Sequence, residues 1–120
     1  MLSRVEKDLF FDKISMRELA EKYGTPLFVY SEERIVRNFL TIKQAFSSTI
    51  TDICFAVKAN SNIGILQILD RQGAGFDIVS GGELARVLKA GGDPTKIVFS
   101  GVGKQDWEII EGLQNKIRCF

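Results

Sequence analysis

Apolar positions along the chain fall into two recurring patterns, and their alternation predicts the architecture. Ile53-Cys54-Phe55-Ala56-Val57, Phe76-Asp77-Ile78-Val79 and Ile97-Val98-Phe99 are short, nearly continuous apolar runs, and Ile117 to Phe120 opens another. Between them Ile63, Leu66 and Leu69, then Leu84, Val87, Leu88 and Ala90, then Trp107, Ile110 and Leu113 recur at helical spacing. Gly73 and the pair Gly91-Gly92 stand where the first two of these helices should stop. The runs begin near residues 53, 76, 97 and 117, about 20 to 23 residues apart, which is the period of βα units. Parallel strands in such units are expected to be buried on both faces.

Upstream the pattern is less regular. Ser15 and Glu18 have capping-box spacing, and Met16, Leu19, Ala20 and Tyr23 predict a short amphipathic helix ending at Gly24. Thr25-Pro26 breaks it, Leu27-Phe28-Val29-Tyr30 reads as a strand, and Ser31 is placed to cap a longer helix with Ile35, Phe39, Ile42 and Phe46 on one stripe. The whole is α/β: a short helix and strand, then about three and a half βα units. A doubly wound sheet needs about five strands and a closed (β/α)8 barrel eight. The unfinished last strand, with no helix to cover it, leads us to expect the leading portion of a longer protein.

Composition narrows the chemistry. The 120 residues carry 16 Lys and Arg against 15 Asp and Glu, a net charge of +1, which gives no electrostatic reason to expect nucleic acid or an anionic membrane as partner. The absence of histidine removes Ser-His and Cys-His nucleophiles and His-rich metal sites, and no metal site is expected. Cys54 and Cys119 form no CxxC pair and read as reduced thiols. No secretory signal and no apolar run of membrane-spanning length is visible, so a cytoplasmic location is expected. Chemistry must come from Lys, Asp, Glu or a cofactor.

Three places could carry it. Strand alternation would put Cys54, Ala56 and Lys58 on one face, with Lys58 at the carboxyl end, where a partly desolvated amine is suited to imine formation. A lysine that merely snorkels at a strand end has the same pattern. Asp77, in an otherwise apolar strand, is either a functional carboxylate or a member of a structural pair. Ser80-Gly81-Gly82-Glu83 is either an anion cradle at a helix N-terminus or a capping box. It lacks the GxGxxG and GxxxxGK[ST] fingerprints, as does the glycine-rich loop Ser100-Gly101-Val102-Gly103-Lys104.

Together Phe55-Ala56-Val57-Lys58-Ala59-Asn60-Ser61-Asn62, Phe76-Asp77-Ile78-Val79-Ser80-Gly81-Gly82-Glu83-Leu84 and Ile97-Val98-Phe99-Ser100-Gly101-Val102-Gly103-Lys104 resemble the diaminopimelate decarboxylases, in the wider group of fold-type III pyridoxal phosphate enzymes. Tyr23-Gly24-Thr25-Pro26-Leu27-Phe28-Val29-Tyr30 is similar to that family's entry segment, so the likeness covers about residues 15 to 120. Ornithine decarboxylases typically have a cysteine where Ala59 stands, and alanine racemases continue the lysine motif with a Tyr-Gly-His run absent here.

The resemblance implies a pyridoxal phosphate-binding (β/α)8 TIM-type barrel followed by a β-domain. Residues 1–30 would pack on that second domain and residues 31–120 would form the leading part of the barrel. Lys58 would be the catalytic residue that binds the cofactor as an imine, Asp77 would bind beside it, and Glu83 and Ala56 are substrate-pocket candidates. The implied reaction converts the small-molecule amino acid meso-2,6-diaminopimelate to L-lysine and carbon dioxide, in a homodimer when full length. The ring-stacking histidine, the phosphate loop, the substrate arginines and the cysteine and tyrosine of the second domain or partner subunit would lie beyond residue 120, so the 120-residue piece alone is expected to be inactive. Alternatives are decarboxylation of ornithine, arginine or a carboxylated polyamine, or a non-catalytic barrel homologue that binds the cofactor.

Overall fold

The computed structural model describes residues 2–120 and separates into two compact units, Met1–Ser31 and Glu32–Phe120. In the first unit β1 (Leu2–Val5), β2 (Asp8–Phe11) and β3 (Ile14–Ser15) form an antiparallel sheet in that order, followed by α1 (Met16–Tyr23). Two-residue turns join the strands, with Val5 paired to Asp8 and Phe11 to Ile14. Such turns need positive φ, which Glu6 (52°), Asp12 (50°) and Lys13 (71°) adopt. As its spacing predicted, Ser15 caps α1, its Oγ accepting from the Glu18 N–H at 3.3 Å. The expected strand at Leu27-Phe28-Val29-Tyr30 is absent: these residues have no regular secondary structure, and Phe28 is 84% exposed. Their β propensity finds no neighbouring strand to pair with, and propensity alone does not make a strand.

The second unit is built as βα repeats. After α2 (Glu32–Ala45) come β4 (Cys54–Ala56), α3 (Ile63–Arg71), β5 (Gly75–Ile78), α4 (Gly81–Ala90), β6 (Ile97–Phe99) and α5 (Asp106–Gln114). The sheet order is β4-β5-β6, all parallel, with Ala56 opposite Asp77 and Asp77 opposite Val98. The expected further strand begins as a parallel bridge from Cys119 to Val98, in which the Phe99 N–H donates to the Cys119 carbonyl at 2.9 Å. Asp52, ahead of β4, and Arg118 form an ion pair of 2.5 Å.

The two faces of the sheet differ, against the expectation of burial on both. Phe76, Ile78, Ile97 and Phe99 are fully buried with Leu66, Leu84 and Val87 of α3 and α4. Each such side chain contributes roughly 1.5–3 kcal/mol over its exposed state. The opposite face carries Cys54, Ala56, Asp77 and Val98, all only half-buried. Asp77 brings a carboxylate and Ala56 a small side chain to that face, where a fully buried charge would be costly.

Candidate functional site

Because β4, β5 and β6 run parallel, their carboxyl ends open on one edge, and the three sequence motifs leave from it. The strand β4 stops at Ala56, and Val57–Ala59 is a turn of 3-10 helix. Strand alternation therefore does not set the direction of Lys58, as the sequence suggested it would. Val57, fully buried, anchors the turn, and Lys58 beside it is exposed. Among the described residues no hydrogen bond or ion pair engages its ammonium. The rest of the first motif is local structure: Asn60 Oδ1 accepts from the Asn62 N–H at 3.0 Å, and Asn62 caps α3 by accepting from the Gly64 N–H at 2.9 Å.

Asp77 sits one residue before the end of β5, on the half-buried face and opposite Ala56. Its Oδ1 accepts the Ser100 hydroxyl at 2.5 Å, and Ser100 also approaches the Ile78 carbonyl at 3.4 Å. Ser100 follows Phe99, the last residue of β6, so the two side chains meet across neighbouring strand ends.

Ser80-Gly81-Gly82-Glu83 proves to be a helix cap. Ser80 Oγ accepts from the Glu83 N–H at 3.2 Å, and Glu83 Oε2 accepts from the Val79 N–H at 2.8 Å, one residue short of the capping-box partner. The Gly81 N–H donates at 2.6 Å to Oε1 of Glu108, a buried carboxylate of α5 whose Oε2 accepts from the Gln105 N–H at 2.9 Å. Those two backbone donors, Gln105 first, hold the Glu108 carboxyl below the ordinary glutamate range. Glu108 thus closes the N-terminal ends of α4 and α5 together. In the sequence only the capping-box spacing Gln105-x-x-Glu108 marks this residue. A Cβ at Gly81 would stand 2.5 Å from the Trp107 ring, so α5 can approach this closely only over glycine.

In the third motif Lys104 Nζ donates to the Gly101 carbonyl at 2.6 Å and lies 5.2 Å from the centre of the Phe99 ring. Cys54 is half-buried, and desolvation is the main cause that raises its thiol pKa. Cys119 is exposed. No group of three or more metal-ligating side chains occurs among the described residues, and none of their helices is long and apolar enough to cross a membrane.

Residues 32–120 match the family model of the pyridoxal-dependent decarboxylases, pyridoxal binding domain. The chain is 53% identical over 116 residues to a diaminopimelate decarboxylase of Vibrio cholerae, covering 93% of this chain and 27% of that protein. A diaminopimelate decarboxylase structure from M. jannaschii superposes with a TM-score of 0.90 at 39% identity, over 98% of this chain and 28% of the other. One from Helicobacter pylori, complexed with L-lysine, gives 0.81 at 45% identity, over 85% and 26%. The chain thus spans about a quarter of the length of these relatives.

The described side chains fit the aldehyde end of a pyridoxal group. Lys58 offers an exposed primary amine with no competing partner, and Asp77 a carboxylate on the adjacent strand. The N-terminus of α4 does not fit the phosphate end, because the Gly81 and Glu83 N–H groups already donate to Glu108 and Ser80 and the Glu108 carboxylate repels a second anion. With its parallel βα sheet, a free lysine at the carboxyl edge and the match over residues 32–120, the chain belongs to the pyridoxal-dependent decarboxylases, through their pyridoxal-binding domain.

Proposed function

We propose that the full-length protein containing this chain is a pyridoxal phosphate-dependent carboxy-lyase that converts meso-2,6-diaminopimelate to L-lysine and carbon dioxide, with Lys58 as the residue that carries the cofactor. The observation that carries the reading is Lys58 itself, an unpartnered amine at the carboxyl edge of a parallel sheet, one strand from a half-buried carboxylate. Relatives named diaminopimelate decarboxylase at about half identity support the substrate over ornithine or arginine.

The chemistry divides between the group and the chain. When bound, the cofactor ring accepts the electron pair left by departing carbon dioxide. Lys58 would hold the group through its deprotonated Nζ at the aldehyde carbon, the aldehyde oxygen leaving as water. Asp77 places a negative charge beside that attachment and orients it, and Ala56, opposite it in register, leaves room on the same face. The Glu83 carboxylate is occupied by the Val79 N–H, so its part is to hold the α4 cap in place at the rim of the substrate pocket. In the same reading residues 31–120 continue into a closed (β/α)8 barrel, residues 1–30 pack on a second domain, and the full-length enzyme is a cytoplasmic homodimer.

The test is made on the full-length protein. Release of carbon dioxide from meso-2,6-diaminopimelate, together with loss of both that activity and the absorbance of lysine-bound cofactor in Lys58→Ala, is the expected result. No carbon dioxide from this substrate, or unchanged absorbance in Lys58→Ala, would overturn the reading.

A further inference from the structure

We infer that Ser100 is a positioning residue that sets the orientation of the Asp77 carboxylate toward the group carried by Lys58. The inference rests on the role proposed for Lys58 and extends it to a residue that takes no part in the cap, the core or the attachment itself.

The argument begins with the sheet. Asp77 projects from the half-buried face of the sheet. A carboxylate turns freely about its last bond unless something holds it, because terminal sp³–sp² torsions are broad. The Ser100 hydroxyl is what holds it, donating to Oδ1 at 2.5 Å from the next strand end. A hydrogen bond to an ionised acceptor is stronger than one between neutral groups. With Oδ1 engaged, Oδ2 is the oxygen left to accept from a donor in the site.

Ser100 is in turn held. Its backbone continues the buried Phe99, whose N–H is bonded to Cys119, and its Oγ lies within 3.4 Å of the Ile78 carbonyl. Two buried strand ends therefore fix the donor, and the donor fixes the acid. Other side chains along this edge have different engagements: Ser80 and Glu83 complete the α4 cap, and Lys104 bonds the Gly101 carbonyl. Among the hydroxyl groups described here, Ser100 is the one aimed at Asp77.

The experiment uses the full-length protein with Ser100→Ala, Ser100→Thr, Asp77→Ala and the double variant Ser100→Ala/Asp77→Ala. It measures the dissociation constant for pyridoxal phosphate, the absorption maximum of the lysine-bound cofactor, kcat and KM. Ser100→Ala is expected to shift the absorption maximum and lower kcat about tenfold, the size of one lost hydrogen bond to a charged group. Ser100→Thr, which keeps the hydroxyl, should restore most of both. In the Asp77→Ala background the same Ser100→Ala change should cost nothing further, as coupled residues require. An unchanged spectrum and kcat in Ser100→Ala, or an equal loss with and without Asp77, would overturn the inference. A Ser100→Thr variant that melts like the parent but behaves as Ser100→Ala would do the same. Failure of the underlying reading looks different, since Lys58→Ala would then keep the absorbance whatever stands at residue 100.

Discussion

The loops that leave β4 and β5 open on the same edge, and in sequence each looks equally rich in chemistry. Their polar groups differ in one respect. After β5, the Ser80 hydroxyl accepts from the Glu83 N–H, the Glu83 carboxylate from the Val79 N–H, and the Gly81 N–H donates to Glu108. After β4, Asn60 and Asn62 are engaged in building the entry to α3, while Lys58 stands exposed with no partner among the described residues. A folded chain generally pairs its polar groups where it can. A cation left unpaired beside a strand end, in a loop whose two asparagine side chains are engaged, is a group available to a ligand. On the function proposed, that difference separates the residue assigned the chemistry from those that hold the edge in shape.

The largest effect expected from this contrast is on activity. In the full-length enzyme Lys58→Ala should lower kcat on the order of 10³-fold or more, as loss of a covalent nucleophile does. Because the ammonium is exposed and unpartnered, thermal stability without cofactor should change by less than about 0.5 kcal/mol. A melting temperature that fell with activity would mean that Lys58 is structural, and the contrast would fail.

The next effect is on stability. Gly81→Ala puts a methyl group 2.5 Å from the Trp107 ring and 3.3 Å from Glu108 Cγ, at the point where α5 closes on α4. The Trp107 atoms met are the outer edge of a half-exposed ring, which must swing away from its bond to Gln105 Oε1 to make room, so the variant should lose about 1–3 kcal/mol. Denaturant unfolding of the full-length protein measures it, and a neutral result would show that α5 is not held at that approach.

How much of this was legible beforehand follows the physics of each signal. The strands β4, β5 and β6 were readable because a sheet face buried under helices demands Phe76, Ile78, Ile97 and Phe99, and apolar runs announce it. The end of β4 was not, because Val57 is as apolar as a strand residue yet is buried by a helical turn. The sheet β1–β3 was hidden for another reason: its turns place Glu6, Asp12 and Lys13 at positive φ without the glycine or asparagine that usually marks them, and Leu2, Val5 and Leu9 are exposed. Lys58 and Asp77 could be singled out as residue types in unusual places. Their surroundings could not, since Ser100 and Glu108 act across 23 and 27 residues of chain.

A smaller effect belongs to Glu83. Its carboxylate accepts one backbone N–H at the start of α4, so Glu83→Ala should lower stability by about 1 kcal/mol, as loss of a cap does. Activity should fall far less than in Lys58→Ala. If Glu83→Ala instead abolished turnover with the melting temperature intact, the loop after β5 would be catalytic as well, and the division between the two loops would have to be redrawn.

The smallest effect is conditional on pH and concerns the carboxylate that closes both helix ends. Two backbone N–H groups hold the Glu108 carboxyl below the ordinary glutamate value of 4.5, so the folded protein binds this proton more weakly than the unfolded chain. The stability this group contributes is therefore fully present above 4.5 and is lost as pH falls through its lower folded value. Glu108→Gln, which cannot ionise, should be less stable than the parent by a constant amount near neutral pH. That gap should narrow as the solution is acidified below 4.5, because protonation takes from the parent what the substitution has already removed. Thermal melts of both proteins across this range measure the gap. A gap that stayed constant would mean that the folded and unfolded chains bind the Glu108 proton equally, so that its charge does not stabilise the two helix ends it closes.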